Sequence, residues 1–192
     1  MASRSGFSKR VYAVLVTSLL VAGTVQAQAT GGAVNAVLTS GSLSFVGHAT
    51  VGDFVGTTTT MTGAVAGELA NAHGWVEAPV ATLATGNDRR DRDMRASLEA
   101  SRYPTMRFDL GRTSPGSGSE LILHGTLTIH GVSRMVDLRS TVVRSADTLR
   151  VTAEFPLDLA DYRIGGLTKL FGMLRMQRRI EVLLDLRFVD RS

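Results

Sequence analysis

Apolar and polar residues alternate through most of the second half of the chain. Leu121, Leu123, Gly125, Leu127 and Ile129 share one parity, and Ile122, His124, Thr126 and Thr128 take the other. The same period of two recurs at Leu149, Val151, Ala153, Phe155 and Leu157, at Ile180, Val182, Leu184, Leu186 and Phe188, and more briefly at Met106, Phe108 and Leu110. Successive side chains of a strand point to opposite faces, so the pattern predicts antiparallel strands with one face buried and one wet. Turn-forming stretches punctuate the runs: SPGSGS at 114–119, His130-Gly131, and RSAD at 144–147. Earlier in the chain SLSFVGHA (42–49), VGTTTTMTGAVAG (55–67) and WVEAPVATLA (75–84) read as strands rich in Gly and Thr. The expected total is about eight strands, an all-β domain that closes into a barrel or splits into a sandwich.

Residues 85–103 break this pattern. Eight of the fifteen side chains from Thr85 to Glu99 are charged. Asn87 is placed to cap a helix that starts at Asp88, and Pro104 bars its continuation beyond Tyr103, which predicts one short helix over about 87–101. Asp88 with Arg92 and Asp91 with Arg95 are spaced i,i+4 with the acid first, the favourable order for pairing along a solvated face. Met94 and Leu98 would then press on the sheet.

The N-terminus has a different character. Arg4, Lys9 and Arg10 precede an apolar run from Val11 to Val25, followed by small residues around Ala27 and Ala29. This is the layout of a secretory signal peptide, residues 1–27, cleaved after Ala27 or Ala29. The alternative is an uncleaved anchor, but the run falls short of the roughly 20 residues a membrane span needs. Residues 28–40, rich in Gly, Ala and Thr, read as a flexible connector, and residues 41–190 as the domain. The chain carries 21 Lys and Arg against 17 Asp and Glu; residues 1–27 hold three of the cations and none of the acids, which leaves 18 against 17. A basic footprint for nucleic acid is therefore absent. There is no cysteine, so neither disulfides nor a lipoprotein anchor are available. Export with this leader points to the periplasm of a bacterium.

Catalytic and metal motifs are missing. His48, His73, His124 and His130 have no H-x-E or H-E-x-x-H neighbourhood and no cysteine partner. His124 and His130 share a face opposite the leucines, facing solvent. No Gly-x-Ser-x-Gly elbow occurs, and GGLTKLFG lacks the phosphate-loop spacing. The expectation is a protein that is not an enzyme, without cofactor or metal ligands; a hydrolase is the less favoured alternative.

The order of TGNDRRDRDMR, RYPTMRF and GTLTIHGVSRMVDL resembles the signature segments of the YceI-like domain family. The matching positions are Thr85-Gly86-Asn87, Arg90-Asp91, Tyr103-Pro104, and Gly125 with Leu127 to Val132; FVGHATVGDFVGTTTTMTGAV at 45–65 is similar to the family's first hairpin. Two residues after Arg90-Asp91, where many members have His, stands Asp93. The resemblance implies an eight-stranded, lipocalin-like antiparallel barrel in the periplasm that holds a long polyisoprenoid chain, such as an isoprenoid quinone tail. Such binding needs no motif. Burying one CH₂ is worth roughly 0.8 kcal/mol, so ten give about 8 kcal/mol, near the micromolar mark before ordering costs.

Strand phase sends Phe45, Met106, Phe108, Leu123, Leu127, Phe155, Leu157, Val182 and Leu184 to the interior, as core or as ligand contacts. The small residues Gly47, Gly125 and Ala153 would leave room there. Leu170, Phe171 and Met173 lie beside Gly165-Gly166 and Gly172, and either flap over the barrel mouth or form a satellite core. The implied partner is an apolar lipid, with transient contact to a membrane or membrane redox protein, and a homodimer as a candidate assembly. A barrel filled with side chains, serving as a structural or interaction module, is the competing reading.

Overall fold

The computed structural model describes residues 32–50, 52–165, 168–169 and 174–191. Residues 1–31, which include the expected signal peptide, lie outside the described residues, as do Leu170, Phe171 and Met173. The strands are β1 (Ala33–Gly47), β2 (Phe54–Thr58), β3 (Thr62–Glu68), β4 (Asn71–Pro79), β5 (Thr105–Pro115), β6 (Glu120–Ile129), β7 (Val132–Ser145), β8 (Thr148–Asp158), the short pair β9 (Thr168–Lys169) and β10 (Leu174–Arg175), and β11 (Arg179–Asp190). One helix, α1 (Asp88–Ser97), sits between β4 and β5.

All pairings are antiparallel, and β11 pairs with both β8 and β1, so the sheet closes on itself. β2 and β3 lie along the same edge of β1 in one continuous register: Leu43 faces Thr58 and Val37 faces Ala64. They behave as one strand interrupted at residues 59–61, which makes the ring an eight-stranded barrel. Closure removes the unpaired edges that an open sheet would present.

The barrel begins earlier than residue 41. Residues 33–40, expected as flexible connector, belong to β1, with Val34 and Ala36 almost fully buried. Small apolar residues read as a linker until their pairing is known; here β3 and β11 flank them on both sides. The run at 75–84 is a strand only to Pro79, followed by a single 3₁₀ turn at Val80–Thr82. At the other end of β5 the difference is reversed. Ser114 and Pro115, expected in a turn, are still paired, to Ile122 and Leu121. A bulge between Leu110 and Arg112 shifts the register by one residue, which flips the parity of the residues beyond it. Thr113 is thereby turned inward and buried, and Ser114 outward.

Two apolar clusters fill the ends of the barrel. One, around Val34, Leu69, Leu121, Leu149 and Phe188, closes the end away from the helix. The other gathers Phe45, Leu83, Met94, Ile129, Leu157 and Ile180 at the helix end.

Candidate functional site

Between the two clusters lies a cavity of about 200 Å³ whose lining reaches from Leu69 and Phe188 at one end to Met94, Ile164 and Met176 at the other. An engineered cavity of about 150 Å³ is already enough to hold benzene. β11 alone contributes Ile180, Val182, Leu184, Leu186 and Phe188 to the wall. At about 3.3 Å per residue those positions span about 26 Å of strand, or about 20 Å along the axis of a barrel with strands tilted about 40°. The site is a narrow tunnel rather than a round chamber.

Its wall is dry. Among the described residues Arg107 is the one charged residue along it, and its guanidinium is bonded to Asp109 at 2.8 Å and Glu77 at 3.4 Å while stacking over Trp75. The Asp109 carboxylate, helped by Glu77 and against the opposing effect of burial, holds Arg107 above its usual range and so permanently charged. Thr113 donates to the Leu69 carbonyl (2.8 Å) and accepts from the Ala72 amide (3.0 Å), so its one hydroxyl proton is already committed. Among the described residues no buried side-chain nitrogen or oxygen lacks a partner, and no group of acidic, histidine or cysteine side chains is arranged to hold a metal. Such a wall can exclude water and contact hydrocarbon.

Phe45, Met106, Phe108, Leu123, Leu127, Phe155, Leu157, Val182 and Leu184 all line this cavity. Strand phase alone places them there. The glycines play a different part from the one expected. A Cβ on Gly47 would run into the Phe54 ring at 2.6 Å, one on Gly125 into the Phe108 ring at 2.6 Å, and one on Gly56 into the Phe45 ring. Gly47 and Gly125 therefore seat aromatic rings instead of leaving open space, and the void comes from the aliphatic wall. Ala153 does line the cavity. Met61, Leu83 and Val76 also face it and carried no clear strand-phase signal, because the break at 59–61 and the 3₁₀ turn interrupt the alternation.

The helix forms one rim. The Asn87 side chain accepts from the Arg90 amide at 3.0 Å and caps α1 as expected. Met94 and Leu98 pack into the apolar cluster at the helix end, as expected, and they also line the cavity. Asp91 is not on the solvated face: it is 6% exposed and accepts from both the amide and the hydroxyl of Thr85. These hydrogen bonds, chiefly the one from the hydroxyl, hold the carboxyl below the usual range against the opposing effect of burial; Arg95 and Arg90 contribute. Arg90 in turn donates to Thr85 Oγ1 (2.8 Å) and lies over the Phe54 ring at 4.4 Å. The charged stretch is thus a clasp that ties α1 to the residues before it and to β2.

Further ties close around the same end. The His48 carbonyl accepts from the Gln177 amide at 2.8 Å, and His48 Nδ1 meets Asp53 at 2.9 Å. His130, in the turn between β6 and β7, contacts Glu99 and the Tyr162 carbonyl, both at 3.1 Å, and packs edge-on to Tyr103. Burial, then Asp161, raises the Tyr162 hydroxyl above its ordinary range, so it stays neutral. No helix among the described residues is long and apolar enough to cross a membrane.

The YceI-like domain is matched over residues 34–188. No curated protein matches the chain. Among solved structures, BcnA of Burkholderia cenocepacia superposes with a TM-score of 0.67 at 17% identity, covering 77% of this chain and 95% of that one. A polyisoprenoid binding domain from Saccharophagus degradans, implicated in plant cell wall breakdown, gives 0.67 at 18% identity, covering 82% and 99%. The Campylobacter jejuni YceI protein gives 0.61 at 18% identity, covering 71% and 85%. At these identities the likeness is one of fold.

Proposed function

The chain belongs to the YceI-like domain family, and from that premise we propose that it is a lipid-binding protein whose barrel holds a long isoprenoid chain, for example the tail of an isoprenoid quinone. The observation that carries this reading is the tunnel: long, narrow and walled mainly by aliphatic side chains, with no unsatisfied buried side-chain nitrogen or oxygen among the described residues. A methyl-branched hydrocarbon fits such a wall because its only demand is removal from water, worth roughly 25 cal/mol per Å² of apolar surface. The binding domain from Saccharophagus degradans supplies the ligand class by analogy. We place the protein in the periplasm, delivered by the leader in residues 1–27, where a soluble carrier shields an oily chain between membranes. The cavity binds without transforming; a head group would sit outside, at the helix end.

Native mass spectrometry after gentle purification tests this, followed by organic extraction. One apolar lipid per barrel, or stoichiometric uptake of an added prenyl quinone by stripped protein, is the expected result. Repeated recovery of empty protein that takes up no prenyl chain would instead establish a purely structural or interaction module.

A further inference from the structure

The outer wall of the barrel carries an arrangement that the cavity does not use. Ser114 on β5, His124 on β6 and Asp137 on β7 form a hydrogen-bonded row across three neighbouring strands. The Ser114 hydroxyl lies 2.7 Å from His124 Nε2, and His124 Nδ1 lies 2.7 Å from an Asp137 carboxylate oxygen. Register accounts for the meeting: His124 pairs with Asp137 across β6–β7 and with Arg112 across β5–β6. The bulge after Leu110 is what turns Ser114 to this face; without the one-residue shift it would point into the barrel.

The pattern of donors and acceptors fixes the roles. A carboxylate can only accept, so Asp137 fixes the tautomer of His124 that carries its proton on Nδ1. That leaves the Nε2 lone pair facing the serine hydroxyl. A nucleophile within reach of a base, with the base oriented by a third group, is the signature of an activated serine. His124 is 20% exposed, so the base is held by its neighbours yet reachable from solvent. Arg112 is exposed on the same face, two residues from Ser114, and adds a positive charge beside the row. Ile122 and Met135, the latter 90% exposed, flank the row on the same face and give a short acyl chain something apolar to lie on.

The geometry points to a second, external site: Ser114, His124 and Asp137 act as nucleophile, base and orienting carboxylate toward small, unhindered carboxylic esters. The Ser114 oxygen bonds to the ester carbonyl carbon while its proton passes to His124 Nε2. The carbon–alkoxy bond then breaks, and the departing oxygen takes that proton, leaving an acyl-serine. Water attacks the acyl carbon, giving its proton to Nε2; Ser114 recovers a proton as the carboxylic acid leaves. Nothing walls the substrate in, so turnover is slow and selectivity comes only from size and the flanking residues.

The test is covalent labelling of the purified protein with a fluorophosphonate probe, with the adduct located by peptide mass spectrometry, alongside hydrolysis of p-nitrophenyl acetate. The expected result is a single adduct on Ser114, formed at a rate that rises with pH. H124Q should slow labelling by about a hundredfold, the usual scale of a general base, and flatten the pH profile. D137N should slow it as well, with partial rescue by D137E. S114A should abolish the adduct while leaving lipid content and melting temperature unchanged, because these side chains face away from the tunnel. An adduct elsewhere, no adduct after long incubation, or equal labelling of H124Q would overturn the proposal.

Discussion

Phe45 lies directly across from Gly56 in the β1–β2 register, and its ring occupies the place where a side chain on Gly56 would have to go. The same ring packs edge-to-face on Phe54 at 6.0 Å between centroids. Phe45 lines the cavity, and Gly56 and Phe54 of the neighbouring strand seat its ring. G56A should force the ring off its rotamer at a cost of about 1–3 kcal/mol, measured by denaturant unfolding. In an F45A background the same substitution should cost much less, since the conflict is with that ring alone. Equal costs in both backgrounds would mean that Gly56 is needed for its backbone.

The tunnel passes Ala153, whose side chain lines it from β8, opposite Leu184 of β11. A153F puts a ring into the void. If a lipid threads past this point, the variant should retain less than a tenth of the wild-type lipid on extraction. Its empty form should melt within a few degrees of the empty wild type, because the ring fills space that was vacant. Normal lipid loading of a folded A153F barrel would place the ligand elsewhere.

Filling the cavity should also register as stability. Empty apolar volume costs about 24 cal/mol per Å³ in core-truncation series, so a cavity of about 200 Å³ corresponds to about 5 kcal/mol. For a domain of this size each kcal/mol shifts the melting temperature by about 2–4 °C. Stripped protein is therefore expected to melt at least about 10 °C below the loaded form, with the gap rising with added lipid as mass action requires. Scanning calorimetry before and after extraction reads this directly, and superimposable melting curves would count against occupancy.

The interior of the barrel was legible because period two is a property of the strand itself. Once Leu123 and Leu127 are assigned inward, Val182, Leu184 and Phe155 go inward by the same rule, and closure brings them together. The features hidden from a sequence reading depend on partners. Val34 and Ala36 look like linker until β3 and β11 flank them. Gly47 and Gly125 look like vacancies until the register brings Phe54 and Phe108 onto them. Ser114 sits in a stretch of turn residues, and only a one-residue bulge puts it beside His124. Asp91 carried a local signal that could have been used: a threonine six residues earlier, able to donate twice to one carboxylate oxygen.

That carboxylate gives the last prediction its sign. Thr85 and the nearby arginines depress the Asp91 pKa in the folded protein relative to its ordinary value near 3.8. A depressed carboxylate contributes stability that is fully present above the unfolded-state pKa and is lost as pH falls through the folded-state value. The clasp should therefore hold at neutral pH and weaken below about pH 4. D91N removes the charge and leaves an amide that can still accept from one Thr85 donor, so it should cost about 1–3 kcal/mol at pH 7, the scale for a hydrogen bond to a charged group. The wild-type advantage over D91N should shrink steadily toward pH 3. Because α1 supplies Met94 and Leu98 to the cavity, lipid should also leave D91N faster at pH 7, with exchange between vesicle-bound and protein-bound prenyl quinone as the readout. A stability difference that persists unchanged to pH 3 would mean that the Asp91 charge plays no part in holding the helix.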